Sequence, residues 1–140
     1  MCWQGDRKSC QGYRVMKSRD SALRAKRFEV AEKARKAEDL QYMTRDFESM
    51  AADLQRQIQA EEDRTGVKDP AHFSYSTFAK AAALRREKLM VSVTDLKAQL
   101  DAALAAYDAA REALSVMEAD EVRETTRHGG KVERNGVAYG

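Results

Sequence analysis

Side chains with catalytic or metal-binding chemistry are few and scattered in this chain of 140 residues. His72 and His128 each stand alone, and Cys2 and Cys10 lack the paired spacing of a zinc site. The acidic triplet at residues 61–63 could hold a cation, although such runs more commonly form a solvated helix face. Glycine-rich phosphate loops and metalloprotease motifs do not occur. We therefore expect no enzyme activity, no catalytic residues, no cofactor, no metal and no small-molecule substrate.

A basic segment near the amino terminus could contact phosphates; its residues are Arg24, Lys26, Arg27, Lys33, Arg35 and Lys36. Aromatic side chains that would stack on bases do not alternate with them, and the acidic block at residues 101–124 of a partner helix would largely neutralise them. We expect no nucleic-acid binding, and a nucleic-acid-binding helical arm remains an alternative. Arg24, Lys26 and Arg27 are instead candidates for contacting a protein partner.

Three aromatic residues, Phe73, Tyr75 and Phe78, cluster beside the only proline, Pro70. One interpretation is an apolar plug that closes the end of a helical hairpin. The other is a docking surface, because aromatic side chains make good anchors in a partner's pocket. Both interpretations are compatible with the sequence, and all three residues are candidate partner-binding residues.

The composition predicts long helices. Charged residues make up 34% and aromatic residues only 7%, and glycine is absent from residues 13–65 and again from residues 67–128. A sheet protein would need turn residues about every ten positions. Long segments rich in Ala, Leu, Lys, Arg and Glu without glycine are typical of helices. The predicted fold class is all-α, an antiparallel two-helix coiled-coil hairpin.

Residues that typically start or end helices divide the chain into a leader, two helices and a tail. Residues 1–15 lack periodicity and are predicted to be a disordered leader or the product of an upstream start codon, and their cysteines suggest a reducing cytosol. Ser18 or Asp20 could cap a first helix over about residues 18–64. Gly66 suits the left-handed residue that ends a helix. Asp69 and Pro70 would then start a second helix over about residues 70–124, or from Ser76 after a break. Residues 125–140 are predicted to be a flexible tail.

Both helices carry an apolar stripe with the 3.5-residue repeat of a coiled coil. In the first helix we predict a thin amino-terminal half, a phase slip near Leu40, and then a seam of Leu40, Met43, Phe47, Met50, Leu54 and Ile58. In the second helix the steps alternate strictly between four and three, over Leu89, Val93, Leu96, Leu100, Ala103, Tyr107, Ala110, Leu114 and Met117.

The charge distribution predicts the relative direction of the helices. Residues 16–36 hold eight basic and three acidic side chains, whereas residues 101–124 hold two and seven. Residues 37–64 hold three and eight, whereas residues 65–100 hold six and three. An antiparallel hairpin brings opposite charges together, and a parallel pair would oppose like charges. The predicted register pairs Leu54 with Leu89, Phe47 with Leu96, Met43 with Leu100, and Leu40 with Ala103.

Residues 16–120 resemble the alphaproteobacterial branch of the FliJ family of flagellar export proteins. The resemblance rests on the basic start MKSRDSALRAKRFEVAEKARK, the acidic segment DFESMAADLQRQIQAEEDRTG and the turn KDPAHFSYSTFAKAAALRREKL. Its most specific part is AEEDRTGVKDPAHFSYSTFAKAAALRR. Such proteins are antiparallel coiled coils that resemble the shaft of rotary ATPases.

The resemblance implies a stalk or chaperone-like component of the flagellar type III export apparatus, which serves motility. Its partners would be the export ATPase ring, the export-gate membrane protein and export chaperones. Its location would be cytoplasmic, peripherally associated with the membrane-embedded export apparatus. A generic coiled-coil scaffold or chaperone without an ATPase partner is the main alternative.

Overall fold

Two long α-helices make up the computed structural model, which describes the backbone of residues 7–136 and the side chains of residues 17–129. Helix α1 is Arg7–Thr65 and helix α2 is Thr77–Gly136. The helices pack against each other, and the described residues contain no β-strand. The fold is therefore an all-α helical hairpin, as the composition predicts.

The chain divides into two compact units. One unit, the connection unit, is Arg35–Leu104 and contains the link between the helices. The other, the terminal unit, combines the chain up to Ala34 with the chain from Ala105 onward. Each unit consists of one segment of α1 and one segment of α2.

Both helices are longer than the sequence pattern indicates. Helix α1 begins at Arg7, so Ser18 and Asp20 lie inside it and cap nothing; Asp20 instead forms an ion pair with Arg24. Helix α2 continues through Gly129 to Gly136, across the predicted flexible tail. Each glycine inside a helix costs only about 1 kcal/mol, and an existing helix gains one hydrogen bond for every residue it adds. Residues 1–6 of the predicted leader and 137–140 of the predicted tail lie outside the described residues.

The start of α2 differs from the main prediction. Pro70 belongs to a turn, and the helix begins at Thr77, after the break considered at Ser76. The Ser76 Oγ accepts a hydrogen bond from the Ala79 N–H (3.3 Å), and the Ser76 carbonyl accepts from the Lys80 N–H (3.0 Å). Ser76 is therefore the N-cap residue, which satisfies amides that have no partner inside the helix.

The seam of α1 follows an unbroken heptad repeat. Ala37, Thr44, Ala51 and Ile58 are buried, seven residues apart, and Leu23 continues the same phase toward the amino terminus. Between them Leu40, Phe47 and Leu54 are half-buried. The predicted phase slip near Leu40 does not occur.

Two predicted seam residues, Met43 and Met50, lie outside the seam of α1. They are 44% and 38% exposed, whereas Thr44 and Ala51 beside them are 5% and 4% exposed. Small Thr and Ala side chains allow close packing of the helices, and the Thr44 hydroxyl donates to the Leu40 carbonyl (2.7 Å), so its burial leaves no polar atom without a partner.

The seam of α2 uses the positions that its repeat indicates. Val93, Leu96, Ala103 and Ala110 are buried. The remaining positions are half-buried, namely Leu89, Leu100, Tyr107, Leu114 and Met117.

Polar contacts between the helices show their direction. In the terminal unit Arg27 Nη2 lies 3.1 Å from Glu118 Oε1, and Arg19 forms an ion pair with Glu124. In the connection unit Lys97 Nζ lies 2.7 Å from Glu48 Oε1, and Arg86 donates to Gln55. In each unit, the α1 residue with the higher number contacts the α2 residue with the lower number. The two helices are therefore antiparallel.

The same contacts agree with the predicted register to within half a helical turn, although Met43, which that register pairs with Leu100, lies outside the seam. Pairing Leu54 with Leu89 would place Glu48 opposite Asp95, whereas the ion pair joins Glu48 to Lys97. These ion pairs also join the segments of opposite charge, as the charge distribution predicts.

Candidate functional site

The link between the helices is an ordered turn rather than the first turn of α2. Helix α1 ends at Thr65, and the next residue, Gly66, has a φ of 73°, the left-handed conformation that glycine adopts without a steric penalty. The Gly66 N–H donates to the Glu62 carbonyl (2.9 Å). The Asp69 carboxylate then accepts from the Ala71 N–H (2.9 Å), and the Asp69 carbonyl accepts from the His72 N–H (3.1 Å). Asp69 thus stabilises a turn, although the sequence suggested a helix cap.

Two carboxylates at the end of α1 accept hydrogen bonds from residues of this link. Glu61 accepts a hydrogen bond from the Ser76 hydroxyl (2.8 Å) and is paired with Arg64 (2.7 Å). Glu62 accepts a hydrogen bond from the Tyr75 hydroxyl (2.8 Å). The acidic triplet at residues 61–63 is therefore not merely a solvated face, because two of its members hold the residues that precede α2.

The electrostatics of this network favour an ionised Glu61 and a protonated Tyr75. The hydrogen bonds from Arg64 and then from Ser76 lower the pKa of Glu61 from 4.5 to about 2, against a smaller opposing effect of burial. The hydrogen bond to the Glu62 carboxylate, together with burial, raises the pKa of the Tyr75 hydroxyl. At neutral pH Glu61 is therefore an acceptor and Tyr75 a donor, as the geometry requires.

The three aromatic candidates separate into two roles. Tyr75 is 7% exposed and belongs to an apolar cluster with Ile58, Ala79 and Ala82. Phe73 is 94% exposed, with its ring stacked on His72 at a centroid distance of 4.7 Å, and Phe78 is 54% exposed. The apolar-plug interpretation therefore fits Tyr75 but not Phe73 or Phe78, and of the three only Phe73 and Phe78 are accessible to a partner.

A shallow groove of about 630 Å³ lies beside this cluster in the connection unit. Pro70, Tyr75, Ala83, Leu84 and Met90 supply its apolar lining, and Leu84 and Met90 are exposed. Lys80, Arg86 and Glu87 supply its polar lining. Leu84 and Met90 are not among the predicted site residues, although a large apolar residue off the heptad positions of α2 is a signal of such a surface in the sequence.

The basic candidates of the terminal unit are engaged in ion pairs. Arg24 pairs with Asp20 (2.9 Å), Lys26 with Glu29 (2.8 Å), and Arg27 with Glu118 of α2 (3.1 Å). The hydrogen bond from Lys26 lowers the pKa of Glu29. Of these three pairs only that of Arg27 involves the acidic block of α2, as the sequence predicted; Arg24 and Lys26 pair within α1. The Arg24 and Arg27 side chains stay more than half exposed.

The terminal unit contains a groove of about 650 Å³ between α1 and α2. Ala22, Leu23 and Met117 are its apolar lining residues, and Arg19, Arg123 and Glu124 are among its charged lining residues. His128 also lines this groove, whereas the His72 ring in the connection unit accepts a hydrogen bond from the Ser74 N–H (3.1 Å).

The described residues show no metal centre and no membrane span. Within them no three His, Cys, Asp or Glu side chains come together in a way that could hold a metal ion. Across residues 7–136 neither helix carries an apolar stretch long enough to cross a lipid bilayer. Comparison with protein-family models, with curated proteins and with solved structures found no match.

Proposed function

We propose that this chain is a non-enzymatic stalk component of the bacterial flagellar protein export apparatus. It would promote assembly and activity of the export ATPase ring and link the ring to the membrane-embedded export gate, from a cytoplasmic position at the membrane. Contact with export chaperones would complete its set of partners. The observation that supports this proposal most directly is the antiparallel pairing of two long helices, because a hairpin of this kind is what the FliJ resemblance implies.

The two ends of α1 suit different partners. Arg24 and Arg27 place exposed positive charge on the terminal unit, even though each is paired. Exposed charges give weak contacts that mainly increase association rates, which suits a surface inside a ring. Phe73 in the link and Phe78 in the first turn of α2 are exposed, and aromatic anchors of this kind suit a defined pocket. We therefore assign the terminal unit to the ATPase ring and the link to a second partner.

The test compares two variants with the unmodified chain. Changing Arg24, Lys26 and Arg27 to Glu should weaken stimulation of the export ATPase. Changing Phe73 and Phe78 to Ala should spare that stimulation and reduce swimming. Tyr75 is left unchanged because it is buried, so that both variants should keep their helicity in circular dichroism. Loss of ATPase stimulation in the aromatic variant alone would reverse the assignment of the two ends.

A pull-down from cell lysate separates this function from the alternatives. Recovery of an ATPase ring component supports the stalk, whereas recovery of other proteins without it would favour a scaffold or chaperone. Binding to DNA or RNA that falls steeply with salt would favour the nucleic-acid alternative.

A further inference from the structure

A second heptad stripe runs along α1 beside the seam. Its members are Asp39, Met43, Asp46, Met50 and Asp53, separated alternately by four and three residues, and all five are exposed. Residues three and four apart are neighbours on a helix surface, so these side chains form one continuous line, here called the Asp–Met stripe. The whole stripe belongs to the connection unit.

Packing within the hairpin covers the methionines of the stripe only in part. Met43 and Met50 lie next to the buried seam residues Thr44 and Ala51 but remain more than a third exposed. Tyr42, on the same exposed side, is 76% exposed. Methionine is flexible and polarisable, and it is used heavily on surfaces that adapt to a partner.

The stability of the helix also does not explain why aspartates occupy these positions. Aspartate is among the less favourable residues in a helix interior. Asp53 pairs with Arg56 on the same helix, whereas Asp39 and Asp46 have no ion pair within the described residues. Two free carboxylates therefore flank Met43 on one surface line.

We propose that the Asp–Met stripe binds a basic amphipathic helix of another protein. Apolar side chains of that helix would cover Met43 and Met50, and its Lys or Arg residues would pair with Asp39 and Asp46. The aspartates of the stripe recur every seven residues, and so do the methionines. Seven residues is the spacing at which a helix presents equivalent positions to a partner helix. From Asp39 to Asp53 the stripe is about 21 Å long, which matches about four turns of a partner helix.

A second copy of this chain fits the stripe less well. Part of the basic segment is already paired, because Arg27 pairs with Glu118 of α2, Arg24 with Asp20 and Lys26 with Glu29. Binding through that segment would require these ion pairs to break. The inference is independent of the proposed stalk function, because its test does not involve the ATPase.

The test uses a synthetic helical peptide of Leu and Lys, about 18 residues long so that it covers the stripe. Its affinity for the full chain is measured by fluorescence anisotropy. The double variant Asp39→Asn/Asp46→Asn should bind about three- to thirtyfold more weakly, since two exposed charge pairs are lost. Met43→Ser/Met50→Ser should also weaken binding, and circular dichroism should show unchanged helicity because all four positions are exposed.

The matched control is Asp101→Asn/Asp108→Asn, which removes the same charge from two exposed residues seven apart on α2. It should leave the affinity within about twofold of the original, and a peptide with Glu in place of Lys should not bind. Equal weakening by the control would show general charge attraction and overturn the proposal. Equal binding of the acidic peptide would also overturn it, as would self-association of the unmodified chain that Asp39→Asn/Asp46→Asn abolishes.

Discussion

Tyr75 has two separable roles at the residue scale, since its ring packs in the apolar cluster and its hydroxyl donates to Glu62. Tyr75→Phe removes only the hydrogen bond and should lower the free energy of unfolding by about 1 kcal/mol. Tyr75→Ala also removes the ring and should lower it by about 3 kcal/mol. Urea denaturation followed by circular dichroism measures both values. Phe73→Ala is the control and should change little, and an equal loss from it would contradict the division of roles.

Glu61 should make stability depend on acid pH. Its pKa is lowered from 4.5 to about 2 in the folded protein, chiefly by Arg64 and then by Ser76, so the unfolded chain binds the proton more tightly. The stabilising contribution of Glu61 is complete above pH 4.5 and is lost as the pH falls toward 2. Glu61→Gln should therefore show a smaller loss of stability over that interval. Parallel pH profiles for the two proteins would show that the network does not contribute.

At the scale of the elements, the seam of α2 should carry much of the stability. Leu100→Ala should lower the free energy of unfolding by about 2 kcal/mol, the lower end for such changes, because Leu100 is only half-buried. Leu100→Asp should largely unfold the hairpin, since the charge would lie partly buried in the interface between the helices without a partner. Leu104, which is exposed, provides the control in the variant Leu104→Ala. An unchanged melting curve for Leu100→Asp would place the seam elsewhere.

Neighbouring residues of α1 test its seam. Thr44→Lys should strongly destabilise the hairpin, because Thr44 is buried and a lysine there would force a charge into the interface. Met43→Lys should be neutral within about 0.5 kcal/mol or slightly stabilising, since Met43 is exposed and has Asp39 and Asp46 as helix neighbours. Thermal unfolding of both variants makes the comparison. The opposite order of stability would restore the predicted seam through Met43.

The seam of α1 also shows where sequence reasoning succeeds and fails. Choosing the larger apolar residue at each step favoured Met43 and Met50 over Thr44 and Ala51. Counting back from Ile58 in steps of seven residues would have found the buried positions. Helix geometry determines which positions face the partner helix, whereas the size of a side chain does not. The α2 repeat had no such competition, since leucine and valine occupy most of its positions.

The link was less predictable than the helices. Gly66 could be assigned from sequence because a left-handed residue favours glycine, and its φ of 73° agrees. The contacts of Ser76 with Glu61 and of Tyr75 with Glu62 could not be assigned. They depend on the path of a turn that has no periodicity, and that path is set by local hydrogen bonds such as those of Asp69.

The ion pairs between the helices give a test at the scale of the whole molecule. Glu48→Lys and Lys97→Glu should each lower the free energy of unfolding, by about 0.5–1 kcal/mol, because each places like charges together. The double exchange should recover most of that loss, since it restores an opposite pair in the antiparallel register. Arg27 and Glu118 allow the same cycle in the terminal unit. Additive losses in the double variants would contradict the register.

The contacts at the link also bear on how quickly the chain finds its fold. Glu61 and Ser76, like Glu62 and Tyr75, are close in sequence, so closing the loop between them costs little chain entropy. Proteins dominated by contacts of short sequence separation fold rapidly. We expect the link to form in the folding transition state, with residues farther from it pairing later. Tyr75→Phe should then slow refolding, whereas truncating Leu114 should mainly speed unfolding.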